Sequence, residues 1–288
     1  RNPKGTVHKD ILKLKAKSRW CLTGTPIQNY LSDICSLLAF IGIRKNKNEK
    51  LDKYLNKYML RRTKEGIHFE MPPITYSVEK VEHTSTEEKQ FYEKVKANTY
   101  ICSDVHHLEV LLRLRQAALL PQMVADGYIK KTKDKKLVIW RHSNSKLDAL
   151  VKTLVDNPKE KPIVFCYFTK EIEYLKKSMS QKKIQYRIIN GSVSMDERQK
   201  IISESDEFRV LVVQMMAGST GLNLQKFNAV YFSGPHWNPT HEQQAVARAY
   251  RIGQQNSVIV RKFVLKHTIE ELILTIQERK QKMIDECM

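Results

Sequence analysis

The 288 residues carry 50 Lys and Arg against 31 Asp and Glu, a formal charge of +19, with 41% hydrophobic and 8% aromatic residues. That length and apolar content suit a folded protein of about two domains, and the charge points to a polyanionic partner, nucleic acid ahead of an anionic membrane. Five scattered cysteines (Cys21, Cys35, Cys102, Cys166, Cys287) without a C-x-x-C pair argue against a zinc module or a disulfide framework and for a reducing compartment. No apolar run approaches the roughly 20 residues of a membrane span. The start, Arg1-Asn2-Pro3-Lys4, has neither initiator Met nor signal peptide and reads as a cut from something longer.

In chain order, the front segment Arg1–Glu82 offers a strand-like stretch at Trp20–Thr23, a helix around Asp33–Phe40 and a second near Leu51–Tyr58. A strand follows at Ile74–Val81, after Pro72-Pro73. Two strands and two or three helices make too little sheet for a domain. From Thr84 to Ala125 the spacing is helical, over Thr86–Tyr92 and again over Leu108–Leu120, and Lys130–Lys136 reads as a solvated loop. From Lys159 onward strands and helices alternate. Ile163–Phe168, Tyr186–Ile189, Val210–Val213, Ala229–Phe232 and Ser257–Leu265 are strand-like. Helices are expected over Lys170–Ser180, from a capping box at Ser194–Glu197, from Asn238-Pro239 through Arg248, and from a second capping box at Thr268–Glu271. This alternation predicts a parallel α/β sheet with helices on both faces.

The stretch Gln244–Gln254, QAVARAYRIGQ, sets Arg248 and Arg251 three positions apart, hence on one face of a helix. Two such guanidiniums suit the charge that develops on a γ-phosphate during hydrolysis. Taken alone, they better suit a basic helix end that complements the macrodipole. His236 and His241 lack acidic company at ligand spacing and read as structural, so no metal site is expected.

Further segments fall in a fixed order: LTGTPIQN at Leu22–Asn29, LRRTK at Leu60–Lys64, LRLRQA at Leu112–Ala117, NSKLDALV at Asn144–Val151 and IVFCYFTKEIEYL at Ile163–Leu175. GSVSMDER at Gly191–Arg198, AGSTGLNL at Ala217–Leu224, Trp237-Asn238-Pro239 and QAVARAYRIGQ complete the series. Together they resemble the Swi/Snf-type DNA-dependent ATPases of helicase superfamily two, in the branch of DNA-repair translocases and remodellers, over essentially the whole chain.

The resemblance implies two RecA-like lobes with ATP between them and duplex DNA across both. Residues 1–83 would be the C-terminal remnant of the first lobe, 84–140 a helical connector, and 141–288 the second lobe with its closing helix. Arg248 and Arg251 would be arginine fingers. Gly221, Gln244, Gly253 and Gln254 would lie at the nucleotide, and Thr23, Gly24, Thr25, Pro26, Gln28 and Asn29 would couple hydrolysis to DNA. Thr169, Lys170, Gly191, Ser192, Arg198, Ser219 and Thr220 would meet DNA. Trp237 would lie against the DNA strand or in a core. Ala247, Tyr250 and the pair Ser219-Thr220 depart from the family's usual Asp, His and Gly-Val.

Neither G-x-x-x-x-G-K-[ST] nor D-E-x-H occurs in the sequence. ATP and Mg²⁺ are therefore expected to be held mainly by the missing first-lobe motifs, leaving this chain inactive alone. Expected partners are that lobe and double-stranded DNA, including nucleosomal DNA, with no membrane. The compartment would be the nucleus in a eukaryote, with viral and bacterial settings also open. A non-catalytic DNA-binding or regulatory module and a strand-separating helicase remain alternatives.

Overall fold

A computed structural model describes residues 5–27, 30–46, 49–62, 71–97, 107–132, 144–217 and 221–287. Its strands are β1 Ile74–Val81, β2 Pro162–Cys166, β3 Tyr186–Ile189, β4 Val210–Gln214, β5 Ala229–Phe232 and β6 Val258–Leu265. Its α-helices are α1 Thr6–Leu12, α2 Ser32–Phe40, α3 Leu51–Tyr58, α4 Thr86–Lys96, α5 His107–Leu119 and α6 Gln122–Thr132. They continue with α7 Ser145–Asp156, α8 Thr169–Gln181, α9 Met195–Ser203, α10 Pro239–Ala249 and α11 Ile269–Cys287.

The strands form one six-stranded sheet, ordered β1-β6-β5-β2-β4-β3, with every pairing parallel. Every residue of β2 and β5 is buried, as a central parallel strand must be when helices cover both faces. The two-residue period divides the sheet into two cores. Val164, Cys166, Val212 and Tyr231 face α7 and α8, which contribute Leu147, Leu150, Leu154, Ile172 and Leu175. Ile163, Phe165, Val213 and Phe232 face Ala245, Val246 and Ala249 of α10. The α/β architecture with helices on both faces is therefore as the sequence predicts.

All three predicted helix starts hold, and two of them with the expected hydrogen bonds. Ser194 Oγ accepts from the Glu197 N–H at 3.3 Å while Glu197 Oε2 accepts from the Ser194 N–H at 3.1 Å, a complete capping box. Asn238 Oδ1 accepts from the Thr240 N–H at 3.0 Å, ahead of which Pro239 opens α10. At α11 the box is shifted. Thr268 Oγ1 donates to Leu265 O at 2.6 Å, and the Glu271 carboxylate reaches past Thr268 to the N–H of His267 at 3.1 Å. His267 sits at φ 60°, a left-handed turn that presents this N–H to the helix.

Two expectations are corrected. Trp20–Thr23 is not a strand: Trp20 is 82% and Leu22 95% exposed. A strand needs a neighbour for its backbone groups, and the compact unit holding these residues has no other strand among its described residues. Ile74–Val81 does form a strand, but not one of the front segment. It pairs along its whole length with β6, from Ile74 opposite Val258 to Val81 opposite Leu265, and so becomes an edge of the large sheet. Arg261 on β6 strengthens that edge by bonding Glu79 on β1 at 3.2 Å and Glu160 at 2.8 Å.

The chain forms two compact units. One comprises the described parts of 1–70, 237–244 and 276–288, where Ile27, Ile34, Leu38 and Leu55 pack with Met283 and Ile284. The other comprises the described parts of 71–236 and 245–275, including the whole sheet. The helices α4 to α6 belong to this second unit. Tyr92, Val95, Leu114, Ala117 and Val124 share a cluster with Leu265 of β6.

Candidate functional site

Crossover connections leave the C-terminal ends of parallel strands on one edge, the edge where open α/β sheets bind ligands. Because β2, β4 and β3 are neighbours, the residues that follow them form a row. Thr169 and Lys170 are exposed at the start of α8, with Lys170 3.4 Å from Glu173. Gly191 and Ser192 are exposed after β3. The Gly191 N–H donates to Gln214 Oε1 at 3.2 Å, and the Ser192 N–H and hydroxyl donate to Asn190 Oδ1 at 3.1 and 2.7 Å. Gly218, Ser219 and Thr220, and likewise Gln28 and Asn29, lie outside the described residues.

Arg198, expected at the DNA backbone, is placed otherwise. It is buried, with Nε donating to Val193 O at 2.9 Å, Nη1 to Ala217 O at 3.2 Å and Nη2 to Asn190 O at 3.1 Å. The guanidinium fork spans three carbonyls that a point-charge ammonium would not reach together. It ties the turn after β3 to the turn after β4. Arg198→Lys is expected to cost about 2 kcal/mol of unfolding free energy, read as a lower urea midpoint at unchanged slope.

The arginine segment also departs from one continuous helical face. Its helix ends at Ala249, after a last i→i−4 bond from the Tyr250 N–H to Val246 O at 2.8 Å. Arg248 thus lies on the final turn and is partly exposed, whereas Arg251 lies beyond it and is exposed. The chain turns there because Gly253 adopts φ 98°, open to glycine at little cost, and the Gln254 N–H closes on Arg251 O at 2.9 Å. Gln254, expected at the nucleotide, is only 6% exposed. Its Nε2 donates to Gln225 O at 2.8 Å, Phe227 O at 3.0 Å and Ala249 O at 3.1 Å, and its Oε1 accepts from the Asn256 N–H at 2.9 Å. Gln225 Nε2 donates to Ile252 O, and the Leu224 N–H to Arg248 O at 3.1 Å. Gly221, exposed, opens the described part of the stretch leading to these contacts.

In the other compact unit, Gln244 Nε2 donates to Thr25 Oγ1 of LTGTPIQN at 3.1 Å. Thr25 is buried, and its N–H donates to Thr23 Oγ1 at 3.1 Å. Gly24 is exposed and Pro26 partly so, while Ile27, 1% exposed, anchors the turn in the core. Trp237 is half-buried, and its carbonyl accepts from Lys280 Nζ at 3.2 Å. His236, in the sheet unit, stacks on Tyr167 with ring centroids 5.9 Å apart.

Sequence reasoning missed a buried polar cluster beneath the turn that follows β5. Lys146 and Glu270, each 1% exposed, form an ion pair, and Glu270 Oε2 also accepts from the Leu265 N–H at 2.9 Å. Glu171, fully buried, accepts from the N–H groups of Tyr167 and Phe168 at 2.8 and 3.2 Å. Burial pulls the Lys146 ammonium down against the opposing pull of Glu270, and pushes the Glu171 carboxyl up. Nearby, Arg115 lies 4.1 Å over the Tyr167 ring and donates to Pro235 O at 2.9 Å. The available signal was the position of Lys146 beside Leu147 and one turn before Leu150, on the edge of the apolar face of α7.

Residues 145–253 match the helicase conserved C-terminal domain, and residues 1–50 match the SNF2-related domain. An uncharacterized ATP-dependent helicase of Mycoplasma genitalium is 28% identical, over 100% of this chain and 30% of its own. DNA repair protein RAD5B of Arabidopsis thaliana is 26% identical, over 96% of this chain and 33% of its own. The chain thus spans about a third of the length of these curated relatives. The crystal structure of the C-terminal part of the Fun30 ATPase domain aligns with a TM-score of 0.59 at 19% identity, covering 76% of this chain and 99% of that one. The shared fold is the RecA-like helicase lobe. On these matches residues 145–253 resemble a helicase conserved C-terminal domain, residues 1–50 resemble part of an SNF2-related domain, and the relatives include proteins named as ATP-dependent helicases and DNA repair proteins.

Proposed function

We propose that the chain is the C-terminal half of an ATP-driven translocase on double-stranded DNA. Its Arg248 and Arg251 would complete a nucleotide site whose phosphate-binding groups lie on another lobe. The observation that carries this reading is the fixed turn bearing Arg251. Arg251 is exposed, while the backbone around it is held by side chains of Gln225 and Gln254. A cation carried on a fixed turn but left open suits a developing phosphate charge that arrives from outside.

ATP would be the substrate. Ala249–Asn256 offers no carboxylate, so Mg²⁺ would be carried with the triphosphate by the P-loop lobe. The exposed row of Thr169, Lys170, Gly191 and Ser192 would contact the DNA backbone, with Arg198 fixing the loops rather than touching phosphate. The contact between Gln244 and Thr25 would hold Gln244 against the coupling motif. Closure on ATP and reopening after hydrolysis would then shift the DNA contacts of one lobe relative to the other. In a eukaryotic parent this work would be nuclear, on repair intermediates or nucleosomal DNA.

Triplex displacement by the parent protein tests the reading. A translocase strips the third strand from duplex DNA in an ATP-dependent way while leaving a forked duplex paired. Separation of the fork would favour a strand-separating helicase. A second reading, a DNA-binding module without turnover, draws on the absence of a P-loop sequence from these residues; ATP-independent DNA binding with no strand displacement would support it.

A further inference from the structure

We infer that Gln254 is a positioning residue for the arginine turn and not a ligand of the nucleotide. The inference rests on the reading of Arg248 and Arg251 as phosphate-facing groups.

The carboxamide has two N–H donors and one carbonyl acceptor. All of them are committed inside the protein. The donors are shared among the carbonyls of Gln225, Phe227 and Ala249, at 2.8 to 3.1 Å, and the acceptor takes the Asn256 N–H at 2.9 Å. No N–H remains to donate to a phosphate or a ribose oxygen. The side chain is also 6% exposed, whereas Arg251, three residues earlier, is exposed.

The positions of these acceptors indicate the role. Ala249 O belongs to the last residue of α10, one of the carbonyls that a helix end leaves without an intrahelical partner. Gln225 O and Phe227 O belong to the turn that leads into β5. One side chain therefore caps the helix carrying Arg248 and pins the turn carrying Arg251 to a rigid strand entry. Two further contacts repeat the link: Gln225 Nε2 to Ile252 O, and the Leu224 N–H to Arg248 O at 3.1 Å. Misplacing a catalytic group by about 1 Å costs roughly 100-fold in rate, so such a staple acts on turnover without touching ATP.

Gln254→Glu in the parent ATPase separates the two roles. The substitution keeps size and the acceptor but turns the donor end into an anion facing three carbonyls. Without nucleotide, amide hydrogen exchange over residues 249–256 and 224–227 is expected to accelerate about tenfold, with other segments unchanged. DNA-stimulated kcat is expected to fall about 100-fold while KM for ATP stays within about twofold. Gln225→Ala, which removes only the bond to Ile252, should give a smaller change of the same kind and guards against misfolding of the first variant. A raised KM with unchanged kcat and unchanged exchange would overturn the inference and make Gln254 a nucleotide contact. Should Arg251→Ala leave kcat intact, the arginine reading fails, yet the exchange measurement still decides whether Gln254 holds the turn.

Discussion

Arg251→Ala is expected to lower the DNA-stimulated turnover of the parent ATPase by about 1,000-fold or more, with duplex-DNA affinity and KM for ATP changed little. An arginine finger acts on charge that appears in the transition state, and its loss typically costs three to five powers of ten. Uniform binding would shift KM instead. Arg251 is the arginine to test because it is exposed on a turn whose backbone is fixed from both sides. Lysine at this position keeps the charge but loses the planar fork, so Arg251→Lys should recover only a small part of the rate. Single-turnover hydrolysis with and without duplex DNA checks this, since it separates chemistry from product release.

The second large effect concerns stability. Lys146→Met is expected to destabilise the protein by about 3–5 kcal/mol, because it strands the Glu270 carboxylate in the interior without its counter-ion. The double variant Lys146→Met with Glu270→Gln should recover most of that loss. Glutamine removes the buried charge and still accepts from the Leu265 N–H that Glu270 Oε2 holds at 2.9 Å. Urea unfolding of the single and double variants measures the coupling. A loss below about 1 kcal/mol, the size seen for exposed pairs, would contradict the burial of both groups.

The α/β half was legible because its strands are short and apolar on both faces and its helix starts are written in local chemistry. Val210–Val213, Ala229–Phe232 and the Ser194–Glu197 box can be read without knowing which distant elements they meet. Ile74–Val81 was legible as a strand but not as an edge of the large sheet, since its neighbour β6 lies more than 170 residues away in sequence. Trp20–Thr23 shows the converse: β-branched and aromatic residues favour a strand only where another strand pairs with them. Within the site, Thr169, Lys170, Gly191 and Ser192 are exposed at strand ends. The inward placement of Arg198 and Gln254 was not legible, because a motif says which residue types recur and not whether a side chain faces outward or inward. Both proved to be buried, multiply bonded groups that hold loops. Lys146 and Glu270 were missed because each looks like an ordinary charged residue in the first turn of a helix.

The most direct measurement of the central claim is steady-state ATP hydrolysis by these 288 residues, alone and mixed with a separately produced SNF2-related first lobe carrying the P-loop. The predicted result is no turnover by the chain alone, DNA-stimulated turnover on mixing, and loss of that turnover with Arg251→Ala. Full hydrolysis by the chain unaided, or turnover on mixing that is indifferent to Arg251, would contradict the account.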